Sequence, residues 1–578
     1  MKMKYISYIT SLCFLAFLIG CNDDFIERPP VDTIVDVNFY QTPDQLLAGS
    51  APLYNVVWFA YNDKASHGIG DGRGGVLSAN YSYQLENIEF RTTGVTQENA
   101  NSWRAFYNVV GQANALINNV NKYTPSSVPD DIKQHVIAEA RFMRGLAYSF
   151  LIMNYGHERD GQPGGVPIIT DNLAVLQDTT VKRHDVESVW EFITRDIRYG
   201  TEHLPATPIQ TGRLTKWAAK GMLAKMYLTR AGVGRTKGNR NQVYLDSAKI
   251  LAKEVMDNSG ARLLDDYEEL YKTKNNNNDE TLFALQWVYN GSNWGSQNSV
   301  QAFLAFSGSI TGFSDGWGGD LGASIYMLKK YEGLVQEVKN DDGEVTGYDF
   351  GSTDDKRRKA TFMLPGDHYP YIHNQILDAD GNPQIVELTV PLNGTFNSRA
   401  WVKKYVVGRP EDNEGKVLQQ RTEIQTYMLR YADVLLTYAE AVMGNAESTT
   451  DAGALAAFNE IRTRAGVPTK SMITWEDIFN ERHLEFAMEG QMWYDFVRLH
   501  YFAPQEAYER LSAQDRGFTR ITPNNAENPT AWKVEPDPAY TGTRFYQVSE
   551  DNFAIPIPEA ELARAPSLRK NPVPYVFE

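Results

Sequence analysis

Cys21 is the residue whose setting most narrows the chemistry open to it. Leu18 stands three positions before it and small Gly20 directly before it, behind Lys2, Lys4 and a mostly apolar run from Ile6 to Ile19. That run has the length of a secretory h-region and falls short of the roughly 20 residues that cross a bilayer. The pattern is a bacterial lipobox: the Cys21 thiol is diacylated, the chain is cut before it, and the new amine is acylated. Residues 1–20 are then a signal peptide. Stable anchoring needs more than one acyl chain at about 0.8 kcal/mol per buried methylene, and a triacylated cysteine supplies it. Asp23 and Asp24 match the acidic tag of lipoproteins exported to the outer face of the outer membrane. The other cysteine, Cys13, is in the leader, so the mature chain has neither a disulfide nor a cysteine metal site.

Other reactive-looking patterns fail on context. Gly70-Asp-Gly-Arg-Gly-Gly75 satisfies G-x-G-x-x-G, but no apolar strand precedes it and no helix start clearly follows, as a dinucleotide site requires. Gly312-Phe-Ser-Asp-Gly316 has nucleophile-elbow spacing, yet Trp-Gly-Gly follows where that motif demands a helix. His368 and His373 lack a third ligand, so no metal and no cofactor is expected. The formal charge of −16 becomes two units more negative when the leader, with two Lys and no acid, is removed. Nucleic acid is thereby a poor partner, because affinity for it comes from Lys and Arg contacts to phosphate.

The frame that must position any site is helical. Trp103, Phe106, Tyr107, Val110 and Ile117 fall on one face of a helix over 97–122. Further helices are predicted over 129–155, 184–203, 212–230, 241–258, 427–445, 450–465 and 473–500. Pairs of about 34 residues, with alanines such as Ala218, Ala219, Ala439, Ala456 and Ala457 at the crossings, predict degenerate tetratricopeptide-like stacking. From 261 to 425 the helical period disappears into Asn, Gly, Asp and aromatics. A long irregular segment this rich in Trp and Tyr predicts a folded insertion rather than disorder. The fold class is therefore mostly α, a helix-pair scaffold at about 97–258 and 427–500 carrying a loop-rich insertion. Residues 21–38, with Pro29-Pro30, read as the lipidated tether, and 39–578 as one body.

Six motifs in order behind the lipobox resemble the SusD/RagB family. They are Ala138-Glu-Ala-Arg-Phe-Met-Arg144 with Gly165-Val-Pro167, Gly212-Arg-Leu-Thr-Lys-Trp-Ala-Ala219, Arg430-Tyr-Ala-Asp-Val-Leu-Leu436, Phe458-Asn-Glu-Ile-Arg462 with Arg464-Ala-Gly466, Glu481-Arg-His-Leu-Glu485 through Arg498, and Pro556-Ile-Pro558 with Asn571-Pro572. His483 stands where a second arginine is commoner. The resemblance implies a SusD-like fold and a non-catalytic lipoprotein on the exterior of the outer membrane. Such a protein captures glycan for a SusC-like TonB-dependent transporter. A peptide-binding RagB-like importer component and a surface glycosidase are the alternative readings. Arg144, Glu440, Arg462, Glu485 and Asp495, set among apolar helix faces, read as satisfied charge networks rather than catalytic groups.

The resemblance also implies that ligand binds where an early loop meets the middle region. Sugars present CH faces and hydroxyl rims, so such a site needs exposed aromatic planes with amides and carboxylates beside them. Trp294 and Trp317, with Asn293 and Asp315, are the leading candidates, joined by Tyr81 and Tyr83 after the glycine-rich stretch. Trp287, within Leu282-Phe-Ala-Leu-Gln-Trp-Val288, reads equally as core or as ligand contact. Trp58 and Tyr61 are weaker candidates, and Trp103 and Trp217 are expected in the core.

Overall fold

The computed structural model describes residues 36–79, 82–159, 161–173, 180–289, 294–312, 316–392, 399–517, 519–523, 532–536 and 545–577. Cys21 and the whole leader, Tyr81, Asn293 and Asp315 lie outside the described residues, as does the side chain of Tyr83.

The scaffold is a run of helices: α1 (Gln97–Tyr123), α2 (Asp130–Tyr155), α3 (Val186–His203), α4 (Lys216–Arg230), α5 (Gln242–Asn258), α6 (Tyr431–Met443), α7 (Ala452–Ala465), α8 (Trp475–Phe486) and α9 (Met492–Phe502). Capping side chains fix several starts. Asp185 accepts from Ser188 N, Thr215 from Ala218 N and Asp451 from Ala454 N, each worth about 1 kcal/mol. Each helix from α1 to α6 packs on the next, so α5 rests directly on α6 although some 170 residues separate them in sequence. The middle region is looped out of an uninterrupted stack.

Short two-stranded sheets tie that middle region down: β1 (Leu77–Ala79), β2 (Thr281–Leu285), β3 (Leu321–Ala323), β4 (His368–Leu377), β5 (Pro383–Thr389) and β6 (Thr426–Arg430). β1 pairs with β3, β2 with β6 and β4 with β5, all antiparallel. Residues 427–430 are therefore strand rather than the start of α6. The reason is Arg430, fully buried at the strand end, whose guanidinium bonds Glu485 (2.8 Å), Glu489 (2.7 Å) and Glu280.

The predicted 473–500 helix is also broken. Met488 and Gly490 take positive φ (64° and 69°), and the buried Asp71 carboxylate accepts both of their amides at 3.0 Å. Gly70 lies so close that a Cβ there would meet Gly490 O at 2.2 Å. The glycine-rich stretch is thus a close backbone crossing between two distant segments. Burial pushes the Asp71 carboxyl up, and its bond to His67 (2.9 Å) offsets part of that.

Candidate functional site

The middle region reaches solvent through its tryptophans, and the structure separates them sharply. Trp294 is 52% exposed. Its ring stands edge-on to Phe59 (centroids 5.5 Å, 73°), and Phe59 in turn stands edge-on to Trp287 (6.4 Å, 76°). Trp287 is buried and donates its indole N–H to Thr426 Oγ1 at 2.9 Å. As a ligand contact Trp287 is therefore corrected to a foundation, which supports half-buried Phe59, which supports Trp294. Each edge-to-face contact adds about 0.5–1.5 kcal/mol beyond burial and fixes the plane of the outermost ring.

Trp317 is half-buried, tilted against Phe303 (5.0 Å, 47°), with its backbone N–H bonded to Ala302 O at 2.7 Å. Beneath its loop, Trp401 stacks on Phe306 (4.4 Å, 21°), and Arg399 bonds Gly319 O (2.7 Å) and Asp320 (3.2 Å). The segment Val56–Lys64 touches both supports. Phe59 carries Trp294, and Lys64 Nζ lies 4.6 Å from the Phe303 ring centre. That segment winds through a 3-10 turn at Val56–Trp58 and a π turn at Tyr61–Ala65. Trp58 and Tyr61 are thereby turned inward and fully enclosed, whereas Val56 and Phe59 face the surface, Val56 at 43% exposed. Asp63, raised by burial and lowered in part by its bond to Ser299, anchors the same turn.

The sequence offered no signal for Val56 or Phe59, because Val-Val-Trp-Phe reads as core. Of the early-loop candidates, Tyr83 sits on the helix Ser82–Ile88, which starts three residues beyond Ala79, and Ala79 pairs with Leu321, four residues past Trp317. The backbone thus brings the start of that helix to the Trp317 loop. Trp103 is buried as expected, and Trp217 is half-buried beside Lys216 and Lys220.

The buried carboxylates paired with guanidiniums lie elsewhere. Glu440 is fully buried between Arg240 (2.6 Å) and Arg498 (2.7 Å). Burial raises its pKa, but these two guanidiniums more than offset that and hold it at about 2. Arg144 pairs with Asp196 (2.7 Å), Arg462 with Glu481 (2.6 Å) and Arg482 with Asp495 (2.8 Å). These are clamps between helices. A cavity near them, lined by Tyr61, Lys225, Arg482 and Asp495, measures about 60 Å³, room for a few waters and none for a sugar. His373 bonds Asp412 (2.6 Å) and His368 bonds Glu387 (3.1 Å), so both histidines of the closest-spaced pair have partners within the hairpin and its neighbours. No described helix is long and apolar enough to cross a membrane.

A braced aromatic ring open to water thus sits on a helix-rich frame whose buried Glu440 is held between two guanidiniums. The chain belongs to the SusD family: the SusD family model matches residues 279–573, and a model described as "Starch-binding associating with outer membrane" matches 25–228. A SusD-like protein of Bacteroides ovatus is 35% identical over 100% of this chain and 99% of its own. SusD-like protein P2 of Formosa agariphila is 23% identical over 97% and 98%. A structure solved with xylogluco-oligosaccharide is 34% identical, with a TM-score of 0.78 over 92% of this chain and 99% of that one.

Proposed function

We propose that this protein captures an extended β-linked glucan of the xyloglucan type at the cell surface and passes it to a SusC-like TonB-dependent transporter. It is held to the outer membrane by lipid on Cys21. The observation that carries the reading is Trp294, a large aromatic half in water yet braced by two further rings. A ring held in one plane with its outer face open can stack on a sugar without reorganising. A flat, braced indole suits the CH face of an extended β-linked backbone, and the 34%-identical relative solved with xylogluco-oligosaccharide supports that choice. Trp317 forms the second plane, and Tyr83, Tyr81, Asn293 and Asp315 remain the further candidates that the sequence supplies. Capture needs no bond cleavage, and lipid tethering keeps the captured chain beside a membrane pore.

The test is migration of the purified protein through native gels containing xyloglucan, with other polysaccharides and a peptide library as comparison. Retardation by xyloglucan, weakened tenfold or more in Trp294→Ala at unchanged melting temperature, is the expected result. Retention by peptides alone, or new reducing ends released from the polysaccharide, overturns it.

A further inference from the structure

One residue before Trp317 the surface falls into a second feature. Gly316 presses so closely on the Ser307–Gly308 backbone that a Cβ there would come within 2.4 Å of Ser307 C. Beyond that crossing opens a cleft of about 550 Å³, lined by Ser307, Ser309, Gln375, Ile376, Leu377 and Arg409. Its volume lies within the roughly 300–1,000 Å³ of small-molecule sites.

The walls are held firmly. The β4–β5 hairpin is pinned by Asp412, whose carboxylate, 1% exposed, accepts from His373 through both the ring (2.6 Å) and the backbone (3.0 Å). Arg409 ties wall to floor, donating to Ser309 O at 2.9 Å and to Glu411 at 3.3 Å. Those contacts engage Nε and Nη1, and a guanidinium carries five N–H groups, so donors remain for a hydroxyl. The Ser307 and Ser309 hydroxyls bond each other at 2.9 Å and keep further acceptor capacity. Against this polar floor stand Ile376, 44% exposed, and Leu377, 67% exposed. Apolar side chains lie at the rim of a hairpin where water would favour polar ones. The combination of hydroxyl, amide and guanidinium below and alkyl groups above is the chemistry that receives a sugar ring's rim and face.

We infer that this cleft is a second carbohydrate subsite, which takes the continuation of the glycan chain beyond Trp317. It rests on the glycan reading of the tryptophan shelf. The cleft then makes affinity depend on chain length, because a short oligosaccharide covers the shelf alone while a longer one also fills the cleft.

The test is calorimetric titration with xyloglucan oligosaccharides of one and of three repeat units. The proteins are wild type, Trp294→Ala and the double variant Gln375→Ala/Leu377→Ser, whose side chains are exposed and remote from the core. Wild type is expected to bind three repeats at least tenfold tighter than one. The double variant is expected to lose that gain while binding one repeat as wild type does, and Trp294→Ala to weaken both. Equal affinity of wild type for both lengths, or an undiminished length gain in the double variant, overturns the cleft subsite and leaves the shelf standing. Equal weakening of both lengths in the double variant overturns it as a separate subsite. Wild type binding neither length overturns the shelf and the cleft together.

Discussion

The helix stack and the looped-out middle region use the same residue types for opposite ends. In the stack, Trp103, Trp190 and Trp493 are sealed, and charges meet as buried pairs between helices. Where the middle region meets the Val56–Lys64 segment, the aromatic chain Trp287–Phe59–Trp294 starts in the core and finishes in water, and charged groups such as Lys64 and Arg399 serve to brace loops. The stack stores its specificity in pairs that fail when one partner is lost. On the proposed reading, the shelf places its function in a ring whose removal should leave the fold intact.

That contrast can be broken most forcefully at Glu440. Glu440→Ala leaves Arg240 and Arg498 buried without their shared carboxylate, and stability should fall by about 3–5 kcal/mol, read by chemical denaturation. Protein that remains folded should bind glycan as before; a variant of normal stability contradicts the clamp.

Acid offers a second lever on the same region. The Glu440 pKa is depressed in the folded state, so its stabilisation is complete above its unfolded value near 4.5 and is lost as pH falls toward about 2, roughly 3 kcal/mol in all. Burial lowers His500 to about 4, so its contribution is present above about 6.5 and declines below that. Both act in one direction. Melting temperature should fall between pH 6.5 and 3, and a flat profile over that span sinks the assignment.

On the shelf the expected effects move from stability to affinity. Trp294→Ala should cost about 1.5–3 kcal/mol of glycan binding while changing stability by less than about 0.5 kcal/mol. Phe59→Ala sharpens the comparison further. It removes the brace and leaves the platform, so affinity should drop by about 0.5–1.5 kcal/mol, less than for Trp294→Ala. A larger loss for Phe59→Ala would make Phe59 the platform itself.

The stack was legible because its signals are local. Stripes such as Trp103, Phe106 and Val110 repeat at helical period, whereas a start such as that at Lys216, capped by Thr215, falls inside the 212–230 range that period alone predicts. What escaped depends on distant partners. The break at Met488–Gly490 is set by Asp71, more than 400 residues away, and the strand before α6 by the pairing of Thr426–Arg430 with Thr281–Leu285. Helical period continues through both places, so sequence alone runs the helix on. Within the site, Trp294 could be singled out by its polar and glycine neighbours. Phe59 could not, since only the irregular turns on either side of it decide that Trp58 and Tyr61 face inward and Phe59 outward.

The most direct measurement is a crystal structure of the protein with a xyloglucan oligosaccharide. A pyranose ring lying flat on the outer face of Trp294, with further sugars running toward Trp317, is the predicted result. An oligosaccharide seated elsewhere with the Trp294 indole still in water contradicts the account.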